Sequence, residues 1–132
     1  MRGYLALTPD ELAQLLDDGE ISIDTAFVPT GHFKGINPEL GDEESEYILS
    51  LLAAEDSISY QGDSAKFSFV LAVDLEASQI GLESEVEVNL ASAIKFSQAD
   101  CLFVGAADDN DGELTWYAAQ EIAIQLPNWR VL

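Results

Sequence analysis

A chain of 132 residues suits a single domain spanning 1–132, and its 25 Asp and Glu against five Lys and Arg leave a formal net charge of −20. That balance disfavours direct binding to nucleic acid or to an anionic membrane surface, since the five cations (Arg2, Lys34, Lys66, Lys95, Arg130) are scattered. With 48% apolar residues, and two Trp, four Tyr and six Phe, the chain is excluded from the acidic disordered class.

Residues Gly3 to Leu7 read as a short strand leading into a helix. Thr8 is its N-cap, Pro9 suits the first helical position, and Glu11 completes a capping box. Leu7 and Leu12 can form a hydrophobic staple. Leu12, Leu15 and Leu16 supply the buried stripe, and Gly19 offers a left-handed stop. Ile21 to Val28 alternates poorly and reads as a strand or an extended segment. Pro29 to Gly41, with two prolines and three glycines, reads as a loop. A second helix is expected from about Asp42 to Glu55, with Glu43, Glu44 and Glu46 favouring its positive end and Tyr47, Ile48, Leu51 and Leu52 facing inward.

Lys66 to Leu75 is the clearest strand, with Phe67, Phe69, Leu71, Val73 and Leu75 on one face and a partly covered second face. Ser84 to Leu90 alternates too. Val86, Val88 and Leu90 are expected to point inward, and Glu83, Glu85 and Glu87 into water. Ile94 to Phe96 and Cys101 to Val104 give one further strand, or two with a bend at Ser97 to Asp100. Asp108 to Gly112 is a turn, and a final helix is expected from about Glu113 to Gln125, with Leu114, Tyr117, Ala118 and Ile122 inward and Pro127 ending it. Links between the later strands are too short for parallel crossovers. The predicted class is α+β: a mainly antiparallel sheet of about four to five strands with about three helices on one face.

Catalytic and metal signatures are weak. Aligning Ala107 to Gly112 with a calcium loop puts alanines, Ala107 and Ala118, at the first and twelfth positions, where oxygen ligands are required. His32 is the sole histidine, and one histidine with one cysteine makes a poor zinc site. Cys101 leads an apolar run and reads as a buried structural thiol. No nucleophile elbow, Walker loop or dinucleotide fingerprint is present. No catalytic, cofactor-binding or metal residue is therefore assigned, and no cofactor is expected. One cysteine allows no intramolecular disulfide, the start lacks signal-peptide character, and no apolar run approaches the ~20 residues that cross a bilayer, so a cytoplasmic location is expected.

Several short segments occur together in order. They are Met1-Arg2-Gly3-Tyr4-Leu5, Ala26-Phe27-Val28-Pro29-Thr30, Gly41-Asp42-Glu43-Glu44-Ser45-Glu46-Tyr47, Ala72-Val73-Asp74 and Trp116-Tyr117-Ala118-Ala119-Gln120-Glu121. With them the chain resembles an uncharacterised family of small acidic actinobacterial proteins over most of its length. Tyr4 to Leu12 also resembles the first helix of a second group of uncharacterised bacterial proteins. Neither resemblance implies a reaction or a catalytic residue; what they imply is a cytoplasmic housekeeping or accessory protein.

The function expected is a non-enzymatic acidic module that binds a basic protein partner. Its interaction residues would be Asp108, Asp109, Asp111, Glu113 and Trp116, the acidity that no cap or strand face explains. One alternative is a small enzyme with a pocket near His32. Another is a nucleic-acid mimic, which needs carboxylates in a regular stripe. Adaptation to high salt would explain the charge without any partner.

Overall fold

The computed structural model describes residues 1–108 and 113–130. Its elements run β1 (Arg2–Leu7), α1 (Pro9–Asp18), β2 (Glu20–Ile21), β3 (Thr25–Phe27), α2 (Gly31–Ile36), α3 (Asp42–Gln61), β4 (Phe67–Asp74), β5 (Ile80–Ser84), β6 (Glu87–Leu90), β7 (Ile94–Lys95), β8 (Ala99–Ala106), β9 (Thr115–Ala118) and α4 (Ile122–Trp129). The class is α+β, and the main sheet is antiparallel throughout, ordered β5-β6-β3-β1-β4-β8-β9. Seven strands form it, more than the four to five expected, because Ile21–Val28 yields β3 and Ser84–Leu90 falls across a hairpin. A separate two-stranded ladder pairs β2 with β7.

Helices cover both faces, which corrects the one-faced layout. Leu5, Leu7, Phe69, Leu71 and Val73 point to the side where Leu12 and Leu15 of α1 and Ile122, Leu126 and Trp129 of α4 pack. Tyr4, Ala6, Val70 and Ala72 point the other way, under Phe33 of α2 and Leu49, Ala53 and Ala54 of α3. The alternation of a strand, one residue up and the next down, thus serves two cores.

α1 forms as its signals dictate. Glu11 N–H donates to Thr8 Oγ1 (3.2 Å) and Thr8 N–H to Glu11 Oε1 (2.9 Å), while Leu7 and Leu12 are both fully buried. Gly19 stops the helix at φ 75°, and its N–H closes on the Leu15 carbonyl at 2.9 Å. The Pro29 to Gly41 loop contains a short helix, α2, because Thr30 caps it through Oγ1 to the Phe33 N–H and Phe33 is buried.

α3 runs to Gln61, beyond the expected end at Glu55, and stops at Gly62 with φ 76°. Its buried residues are Leu49, Ser50, Ala53, Ala54 and Ser57, whereas Tyr47 is exposed and Ile48, Leu51 and Leu52 are half-buried. The inward face is turned relative to expectation because the small residues let the helix axis approach the sheet. Ser57 fixes that approach: its hydroxyl donates to the Leu7 carbonyl (2.6 Å) and accepts from the Phe69 N–H (2.9 Å), where β1 and β4 pair.

Ser84 to Leu90 is not one strand. Ser84 pairs with Glu87 across a turn at Glu85, whose φ of 38° is left-handed. Val86 therefore joins the α3 side and Val88 the α1 side, and Glu87 is half-buried instead of facing water. Phe96–Gln98 forms a helical turn that separates β7 from β8, the two-strand alternative.

The expected final helix is replaced by β9 and then α4. Thr115, Trp116 and Tyr117 favour a strand by side-chain type, and β9 adds to the sheet edge with Trp116 opposite Phe103 and Tyr117 opposite Leu102. Pro127 lies inside α4 rather than after it. Trp129 is the reason the helix continues: it packs edge-on against Phe69 (5.5 Å) and Tyr117 (5.2 Å) and is buried.

Candidate functional site

Of the interaction residues expected from sequence, Asp108, Glu113 and Trp116 are exposed, and Asp109 and Asp111 lie outside the described residues. Trp116 sits on the edge strand β9, not on a helix. Neighbouring strand residues point to opposite faces, so Tyr117 enters the α1 side core while Trp116 remains 57% exposed on the α3 side of the sheet. His32 is exposed on α2 and makes no side-chain hydrogen bond or ion pair among the described residues. A cavity does lie beside α2, but its lining includes Lys34 and Asn37 and not His32. Cys101 is buried on β8, where burial pushes its thiol pKa up and Arg2 Nη2 approaches Sγ at 3.5 Å. A raised pKa holds the sulfur as a thiol, which is a poor nucleophile.

The structure assembles a different acidic constellation. Glu11 of α1, Asp24 ahead of β3, Asp56 of α3 and Glu87 of β6 all act on the Tyr60 hydroxyl near the end of α3. Glu11, Asp24 and Tyr60 line a groove of about 330 Å³, together with Ala6, Thr8, Thr25 and Phe27. Tyr60 is 59% exposed. Burial and then the four carboxylates raise its pKa, and burial followed by Asp56 raises that of Glu87. In both, burial is the larger cause and the neighbouring negative charge adds to it.

Among the described residues, cations reach only Asp10, Glu46, Asp74 and Asp100, so none of the four carboxylates around Tyr60 is in an ion pair. No group of three or more His, Cys, Asp or Glu among the described residues is close enough to hold a metal ion. The groove is therefore a spread of negative charge flanking an aromatic ring. Sequence reading misses it because its members come from α1, α3, β6 and a loop. The one available signal was Glu87, read as solvent-facing.

No curated protein and no solved structure matches this chain. Among the described residues no helix is long and apolar enough to cross a membrane. A family model covers residues 1–126, nearly the whole length, and the chain belongs to that family, a family of unknown function (DUF6912).

Proposed function

We propose that this protein is a non-enzymatic interaction module of the cytoplasm that binds a basic, extended segment of a protein partner along the groove beside Tyr60. The observation that carries the reading is the groove lined by Glu11, Asp24 and the exposed Tyr60, at which the charges of Asp56 and Glu87 also act, with none of the four carboxylates in an ion pair among the described residues. Lys or Arg side chains entering the groove would relieve repulsion already present there, and one of them can lie over the Tyr60 ring. Long-range attraction from a charge of −20 would speed encounter, and contacts in the groove would set specificity. Asp108, Asp109, Asp111, Glu113 and Trp116 are proposed as a second contact, with Trp116 as its exposed anchor.

Other readings draw less support. His32, exposed and without a side-chain hydrogen bond or ion pair among the described residues, offers no acid–base pair there. The acidic first turns of α1 (Asp10, Glu11) and α3 (Asp42, Glu43, Glu44) belong to helices packed on opposite faces of the sheet, which does not favour the regular stripe a nucleic-acid mimic needs.

The test compares two triple variants of equal charge in calorimetric titration with an extended Lys/Arg-rich peptide. Asp24→Asn/Asp56→Asn/Glu87→Gln should weaken binding about tenfold or more, and Asp17→Asn/Asp18→Asn/Glu20→Gln only slightly. Equal losses in both would reduce the attraction to a diffuse field and overturn the groove.

A further inference from the structure

A second cavity, of about 430 Å³, opens between the start of β1 and the first turns of α3. Two of the five Lys and Arg, Arg2 and Lys34, face it together with Asp42 and Glu46, so acidic and basic side chains balance there in a chain of net charge −20. Arg2 is fixed by Asp100 at 2.7 Å through Nη1, and its guanidinium carbon lies 5.9 Å from the centre of the Tyr4 ring.

Two buried donors in this cavity lack acceptors. Tyr4 is 1% exposed, lines the cavity, and its hydroxyl has no hydrogen-bond partner. Arg2 Nε is buried and likewise without a hydrogen bond, with the nearest carboxylate oxygen, Glu46 Oε1, at 3.5 Å. Burial and the Glu46 charge push the Tyr4 pKa up, so the hydroxyl keeps its proton and remains a donor. Buried polar groups in folded proteins are nearly always satisfied, and a bound ligand is one way of supplying what is missing.

We infer that this cavity binds a small zwitterion of the α-amino-acid type with an apolar side chain. A carboxylate bridging Tyr4 Oη and Arg2 Nε would satisfy both donors at once. The ammonium group would meet Asp42 and Glu46, keeping the charge balanced. Pro29, Pro38, Leu40 and Leu49 supply an apolar wall for the side chain. The volume exceeds what such a ligand fills, so water completes the site. This site is separate from the Tyr60 groove, and neither reading depends on the other.

The test is an NMR titration of the ¹⁵N-labelled protein with L-leucine, 4-methylpentanoate and 3-methylbutylamine, which carry both charges, the carboxylate alone and the ammonium alone. Leucine should give saturable shifts at residues around the cavity, and each single-charge probe should bind about tenfold more weakly or worse. Tyr4→Phe should weaken leucine binding about tenfold while the free variant melts no lower than the native protein, because it removes an unsatisfied hydroxyl. Ser45→Trp, which fills the cavity from the α3 surface, should abolish the leucine shifts and leave the fold intact. The inference is overturned if leucine produces no saturable shift, or if 4-methylpentanoate binds as well as leucine. It also fails if Tyr4→Phe binds leucine unchanged and melts lower, since the hydroxyl would then be held by Glu46.

Discussion

At Glu87 the fold half-buries a carboxylate, and the charge of Asp56 on α3 adds to the effect of that burial. Its folded-state pKa is therefore above the ordinary value, which means the folded protein holds that proton more tightly than the unfolded chain. The stability this contributes is present below the unfolded pKa, near 4.3, and is lost as pH rises through the folded one. Glu87→Gln should accordingly stabilise the protein at pH 7, by about 0.5 kcal/mol given the solvent screening, and by nothing below about pH 4. Urea denaturation at the two pH values measures the difference; an equal gain at both would assign the effect to packing instead of charge. Glu85, two residues earlier, shows how closely conformation and charge are interleaved here, since its left-handed backbone makes the turn that aims Glu87 at α3.

Among elements, α3 depends on one small polar side chain. Ser57 replaces part of the β1–β4 ladder by offering its hydroxyl to the Leu7 carbonyl and the Phe69 N–H, both buried. Gln61, one turn on, extends the same network to the Phe67 carbonyl at 2.8 Å. Ser57→Ala should cost about 1–3 kcal/mol in chemical denaturation, because it strands two buried backbone groups. A cost under half a kilocalorie would show that water replaces the hydroxyl.

Legibility differs among the elements for identifiable reasons. α1 can be read directly because cap, staple and glycine stop all lie within its own sequence. β4 is as clear, since large apolar side chains recur at every second residue from Phe67 to Val73, although both of its faces are buried. β9 is not, because over only four residues, Thr115–Ala118, the strand preference of the side chains is too short a signal, and the decision is made by β8 across the ladder. The inward face of α3 is hidden for a related reason: alanines and serines pack closest, while the larger side chains flank the contact. The groove at Tyr60 lies beyond sequence reading altogether, since only the register of β3 with β6 and the seat of α3 bring its carboxylates together.

For the whole molecule the charge is a matter of stability as well as recognition. The ion pairs among the described residues involve side chains at least 39% exposed, which contribute little. Most carboxylates therefore repel one another through solvent, where screening is effective. The melting temperature should rise as sodium chloride goes from about 0.1 M to 1 M, across which the screening length falls from ~10 Å to ~3 Å. A melting temperature that ignores salt would show that self-repulsion does not limit this fold, and would remove salt adaptation as a reason for the charge. The position of β1 has a different consequence, for biosynthesis. It is made before both strands that flank it, yet it lies in the middle of the sheet, with β3 on one edge and β4 on the other. On the ribosome it must wait for Asp74 before both edges are paired. Until then Gly3 to Leu7, an uncharged run destined for burial on both faces, is left unprotected in a chain otherwise dense with carboxylates. That interval is when a chaperone has most to offer this protein.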